Sequence, residues 1–129
     1  MNLLLDTSIF LWFIGGDERV SQALRAAIRD PDHRVWLSVV SVWEIAAKQQ
    51  AGRLTLPRPA WAYVTSMRDR HGIESLPLEE PALEHLAKLP AVHRDPFDRM
   101  LVCQAIEHDL LIATADEAVR QYPVKTISA

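Results

Sequence analysis

The chain has 129 residues, enough for one domain with a real core, with 24% charged and 49% hydrophobic residues and no sign of disorder. Cys103 is the only cysteine, which excludes an intramolecular disulfide and a thiolate metal cage, and its setting in an apolar segment predicts inert core. The net charge of −3 argues mildly against a nucleic-acid partner.

In chain order, the opening MNLLLDTSIFLWFI lacks a basic start, and Asp6 interrupts it well short of a membrane span. It reads as a strand at Leu3–Leu5 followed by a helix, in a soluble, cytoplasmic protein with no membrane partner. Further strand-length apolar runs fall at Val35–Leu37, Ile73–Leu76, Leu110–Ala113 and Val124–Ile127. Between them, three sets of residues have helical spacing: Val20, Leu24, Ala27 and Ile28; Trp61, Val64 and Met67 with Tyr63; and Leu83, Leu86, Ala87 and Leu89. Continuous apolar strands alternating with helices predict a parallel sheet covered on both faces. The expectation is one α/β domain over residues 1–129, with three layers (α/β/α) and about five parallel strands. Trp12, Trp36, Trp43 and Trp61 are expected mainly in the core.

In such sheets ligands gather beyond the carboxyl ends of the strands, so acids placed there carry information. Asp6 directly follows the first strand, and Asp116 comes three residues after Ala113. Each also has a structural reading as a helix N-cap. Ser41-Val42-Trp43-Glu44 fits the S-x-x-E capping box, although Val40, Ala47 and Ala51 share the face of Glu44 and turn it inward.

In HRDPFDRMLVCQA, Asp95 fits an N-cap, Pro96 the first helical residue and Asp98 the third. At the helical period, Asp98 falls between Ala105 and Val102, inside the apolar arc that Leu101 and Ile106 complete. Arg99, Gln104, Glu107 and His108 lie mainly on the other side. An acid aimed inward needs a partner, so capping explains Asp95 better than Asp98.

Four acids at one sheet edge would repel one another unless a cation neutralised them. Oxygen ligands without cysteine suit a hard divalent ion, Mg²⁺ or Mn²⁺. The five histidines (His33, His71, His85, His93 and His108) form no H-E-x-x-H or i, i+4 pair, which disfavours Zn²⁺. With Asp6, Glu44, Asp95, Asp98 and Asp116 committed to metal, 17 − 5 = 12 acids face 14 Lys and Arg. The remainder is +2, so a basic surface for nucleic acid is permitted after all.

Asp6-Thr7-Ser8 after the first strand, SVVSVWEIAAKQQAGRL with Glu44, DPFDRMLVCQA with Asp98 and LLIATAD with Asp116 together resemble PIN-domain ribonucleases. The likeness is greatest to the VapC-type toxins of bacterial toxin–antitoxin pairs and runs over nearly the whole chain. The resemblance implies a five-stranded parallel sheet and Mg²⁺- or Mn²⁺-dependent cleavage of RNA. It implies catalytic and metal-binding roles for Asp6, Glu44, Asp98 and Asp116, and supporting roles for Thr7 or Ser8 and Thr114. Asp95 stays a cap and possible outer ligand. A homodimer and an antitoxin that occupies the active-site groove are also implied. Arg94 and Arg99 flank the site as possible RNA contacts, with solvated surface charge the ordinary alternative there and at Lys48 and Arg53.

Two other readings compete. An aspartyl-phosphate phosphatase would use Asp6 as nucleophile, typically with a second Asp two residues on, where Ser8 stands. A catalytically silent binding module would use its tryptophans as contact anchors.

Overall fold

The computed structural model describes residues 1–91 and 95–129. His93 and Arg94 therefore lie outside the described residues, Arg94 with its possible RNA contact. Five strands form one sheet: β1 (Asn2–Leu5), β2 (Arg34–Ser38), β3 (Glu74–Leu76), β4 (Leu111–Thr114) and β5 (Thr126–Ser128). Their order is β3-β2-β1-β4-β5, and every pairing is parallel. Each expected run yields a strand, with bounds shifted by one or two residues.

The helices are α1 (Thr7–Ile14), α2 (Gln22–Arg29), α3 (Val39–Gln50), α4 (Ala60–Arg70), α5 (Glu80–Leu83), α6 (Pro96–His108) and α7 (Glu117–Arg120). A 3-10 turn (Glu84–Lys88) follows α5. They cover the sheet on both sides, and β1 shows why its sequence is apolar throughout. Leu3 and Leu5 point into one core with Phe10, Phe13, Leu24, Ile45 and Val64. Leu4 points into the other with Leu101, Val102, Ile112 and Tyr122. All three leucines are fully buried, as a central strand between two helical layers requires.

Chain direction across the sheet places the site. From β1 the order runs through β2 to β3 on one side, whereas β4 and β5 lie on the other. The connections leaving β1 and β4 therefore part, opening a crevice at the carboxyl edge between them. Among the described residues, no helix is long and apolar enough to cross a membrane.

Four expectations are corrected. Trp43 and Trp61 are 62% and 71% exposed rather than core. The buried side of α3 is Val40, Ser41, Glu44 and Ile45, and that of α4 is Ala60 and Val64, so both indoles fall off the covered face. Trp43 instead rests edge-on against Phe97, with ring centroids 4.8 Å apart. The third apolar stripe is broken by the change from α5 to the 3-10 turn: Leu83 and Ala87 are exposed, and Ala82 and Leu89 are buried. A turn with three residues per repeat cannot continue the face of a 3.6-residue helix.

Ser38, not Ser41, caps α3, its hydroxyl accepting from the Val40 N–H at 3.0 Å. Gln104, expected on the wet side of α6, is fully buried. Its amide is satisfied there, accepting from the Ser38 hydroxyl at 2.5 Å and donating to the Pro77 carbonyl at 3.2 Å. Cys103 is buried as expected, and burial pushes its thiol pKa up.

Candidate active site

Three helix starts converge on the crevice, each opened by an acid. Asp6 ends β1 and caps α1, its Oδ1 accepting from the Ile9 N–H at 2.8 Å. Its own N–H donates to the Ala113 carbonyl of β4 at 3.0 Å, which fixes it beside that strand. Asp95 caps α6, accepting from the Phe97 and Asp98 N–H groups at 2.9 and 3.3 Å. Asp116 caps the short α7, accepting from the Ala118 N–H at 2.8 Å. Asp98 sits in the first turn of α6 and is partly buried.

Glu44 reaches the same place from the second turn of α3. Asp6, Glu44, Asp95, Asp98 and Asp116 line one cleft of about 240 Å³, together with Thr7, Ser8, Trp12, Lys48 and Ala115. Acids as far apart in sequence as positions 6 and 116 are thus neighbours in space. Capping and cleft-lining prove compatible: Asp6, Asp95 and Asp116 do both.

Two buried threonines hold the acids. The Thr7 hydroxyl lies 2.7 Å from Glu44 Oε1 and 2.9 Å from the Ser41 hydroxyl. A hydroxyl has one hydrogen and a carboxylate only accepts, so Thr7 donates to Glu44 and Ser41 donates to Thr7. Lys48, one turn on, donates to Glu44 Oε2 at 2.5 Å. Thr114 accepts from the Asp116 N–H at 3.0 Å and is hydrogen-bonded to the Asp6 carboxyl. Ser8 is exposed at the cleft wall.

Electrostatic strain is visible at Asp6, which is 5% exposed. Burial, above all, pushes its carboxyl above the ordinary carboxylate range. The charges of Asp116 and Glu44 push the same way, while hydrogen bonds from Thr114 and Ile9 partly oppose them. Among the described residues, five carboxylates and one ammonium on the cleft wall leave an excess of 5 − 1 = 4 negative charges when all are ionised.

That surplus, offered by oxygen donors with no histidine or cysteine among the described lining residues, fits a hard divalent cation. Among the described residues, no three acid, histidine or cysteine side chains form a ready-made ligand cluster. The carboxylates ring a shared space, and each of Asp6, Glu44, Asp95 and Asp116 already accepts from protein donors.

Arg99 is engaged elsewhere. Its guanidinium donates to the Pro90 carbonyl and the Tyr122 hydroxyl, both at 3.2 Å, and to the Leu86 carbonyl at 3.5 Å. Neither Arg99 nor Arg53 is among the cleft-lining residues. Sequence reasoning missed Trp12 as a wall of the site and gave Ser41 the wrong task. For Lys48, the i, i+4 spacing from Glu44 was the available signal.

The PIN domain family matches residues 3–125. The chain belongs to the PIN domain family. A curated relative, ribonuclease VapC22 of Mycobacterium tuberculosis, is 24% identical over 121 residues, covering 93% of this chain and 91% of its own. Two solved structures share the fold. One is VapBC2 from Rickettsia felis bound to a DNA fragment from its promoter, with TM-score 0.77, 12% identity, and coverage of 100% of this chain and 99% of the other. The second is DNA-bound VapBC from Salmonella typhimurium, with TM-score 0.71, 17% identity, and coverage of 99% and 98%.

Proposed function

We propose that this PIN-domain protein is a VapC-type ribonuclease, hydrolysing RNA phosphodiester bonds with Mg²⁺ or Mn²⁺. The observation that carries the reading is the meeting of Asp6, Glu44, Asp98 and Asp116, from four separate stretches of chain, on one cleft at the carboxyl edge of the sheet. The likeness to a ribonuclease of the VapC group supports the substrate class.

An RNA phosphodiester is anionic, and a wall of carboxylates alone repels it. A bound divalent ion supplies the missing positive charge, a Lewis acid for the phosphate and a water of lowered pKa. Asp6 and Asp98 would hold that ion directly. Glu44 and Asp116 would hold a second ion, orient water or act from outside the direct ligands, and Asp95 would join them as cap and outer ligand. Thr7 keeps Glu44 in one orientation, and Thr114 does the same for Asp6. Ser8, exposed on the cleft wall, would position a carboxylate or a water by a hydrogen bond.

The fold relatives in VapBC complexes support a second part of the reading, that this chain is the cytoplasmic toxin of a pair inhibited by an antitoxin protein. The exposed indoles of Trp43 and Trp61 supply apolar area for a second copy of the chain, as in a homodimer, or for the antitoxin.

Incubating mixed RNA with the purified protein in Mg²⁺ and in EDTA tests the reading. Cleavage in Mg²⁺ that EDTA stops is the expected result. Cleavage that survives EDTA overturns the metal mechanism. Failure to cleave any RNA favours the silent binding module, for which the two exposed tryptophans are the specific support.

A further inference from the structure

We propose that Lys48 is a substrate-binding residue whose ammonium donates to a phosphate oxygen of the RNA backbone while staying paired with Glu44. The inference rests on the ribonuclease reading and extends it to a residue outside the acid set. Lys48 is the one basic side chain among the described residues lining the cleft, facing five carboxylates. Its side chain is 45% exposed, whereas that of Glu44 is 5% exposed, so the pair runs from the buried floor of the site to its open mouth.

Glu44 cannot turn away to release the lysine, because Thr7 holds its other oxygen at 2.7 Å. An ammonium has three N–H donors, and Glu44 takes one of them. The remaining donors need no rearrangement to reach an anion entering from solvent. The side chain is also tethered, so less rotamer entropy is lost on binding than for a free surface lysine. Arg99, a described cation close to Asp95 and Asp98 in sequence, is turned to Pro90, Leu86 and Tyr122. Lys48 thus gives the cleft, whose other charged residues among those described are all acids, a fixed point at which it can hold the backbone.

A phosphate contact has a signature that Glu44 positioning alone lacks. Each neutralised phosphate contributes about 0.7 to the slope of log affinity against log salt for a single strand. It also weakens binding equally for every sequence when removed. The experiment measures fluorescence anisotropy of two short single-stranded RNAs of unrelated sequence, from about 50 to about 200 mM salt. Ca²⁺ replaces Mg²⁺, and intact RNA is verified on a gel.

Lys48→Met is expected to make the slope shallower by about 0.7, so that over this range the wild type loses about 2.6-fold more affinity than the variant does. Lys48→Arg should keep the wild-type slope. The deciding comparison is Glu44→Gln with and without Lys48→Met. A slope change that persists there shows that the lysine acts on RNA, and its disappearance shows that Lys48 only neutralises Glu44 and overturns the proposal. An unchanged slope for Lys48→Met in the wild-type background overturns it as well. If melting curves show that the glutamine variant does not fold, Glu44→Met with and without Lys48→Met, which also removes the glutamate charge, gives the same test. A wild-type protein that binds neither RNA sinks the ribonuclease reading itself, a result distinct from normal binding by Lys48→Met.

Discussion

Replacing Thr7 with valine keeps the shape of the side chain and removes one hydroxyl, which isolates the hydrogen bond that holds Glu44. Both residues are buried, Thr7 at 5% and Glu44 at 4% exposure, so water cannot replace the lost donor. A hydrogen bond to a charged group contributes about 1.5–3 kcal/mol, and an acceptor left unsatisfied in the interior costs the full desolvation penalty. Ser41, fully buried, loses its Thr7 acceptor in the same step. The expected loss is about 2–3 kcal/mol, or roughly 6–12 °C in melting temperature for a chain of this size.

Urea titration in EDTA with matched thermal melts measures the change. Thr7→Ser, which keeps the hydroxyl, should lose less than about 1 kcal/mol. In a Glu44→Gln background the valine effect should shrink by about 1–2 kcal/mol, the coupling expected of direct partners. A Thr7→Val protein within about 0.5 kcal/mol of wild type, the usual range for an unimportant surface change, refutes the clamp.

The raised carboxyl of Asp6 fixes the sign of a pH effect. Its contribution to stability is full below the ordinary value of 3.8 and is lost as pH rises through the higher folded value. Asp6→Asn, which keeps the cap, should therefore melt higher than wild type at pH 7 in EDTA, with the gap closing toward pH 3.8; a lower melting temperature at pH 7 contradicts it. Added Mg²⁺ should stabilise the wild type by mass action, about 2.7 kcal/mol at a hundred times the dissociation constant, and Asp6→Asn by clearly less. Asp98→Asn should abolish RNA cleavage while leaving the melting temperature in EDTA equal or higher, and a variant that unfolds readily would return Asp98 to a purely structural role. Asp95→Ala should cost about 1 kcal/mol in urea titration, the usual penalty for a lost N-cap.

The fold was legible where burial acts on both faces of an element. Leu3, Leu4 and Leu5 are all fully buried, and a run of that kind has few alternatives to a central parallel strand. Legibility failed where the outcome depends on which neighbour covers a face. Trp43 and Trp61 have the composition of core residues and the placement of surface ones, and nothing local to them records that difference. Gln104 shows the opposite failure. Its burial is made tolerable by Ser38, 66 residues away, and by the Pro77 carbonyl. Ser41 matched a capping pattern because that pattern is local and blind to where β2 ends. The same serine is useful only through Thr7, 34 residues earlier. The helical projection told Asp98 from Asp95 by direction, and the structure places both on the cleft wall.

The opposition between capping and chemistry, which seemed to divide the readings of these acids, dissolves in this topology. In a parallel sheet a covering helix that runs antiparallel to the strands starts at the carboxyl edge, so such helix N-termini collect where the ligand crevice opens. A helix N-terminus favours an acid, both for its free N–H groups and for its partial positive charge. Asp6 and Asp95 open helices of 8 and 13 residues at that edge, and Asp116 opens one of 4. Local stability and a divalent-metal site thus select the same residue type at the same places. It follows that alanine alone cannot separate the two roles, since it removes cap and charge together. Asparagine keeps the cap and removes the charge. For Asp116, asparagine should leave the melting temperature in EDTA within about 0.5 kcal/mol of wild type, or above it, while cleavage falls; alanine should lower both. Equal activity for wild type and Asp116→Asn, beside an alanine variant that is merely less stable, would leave Asp116 a cap and nothing more.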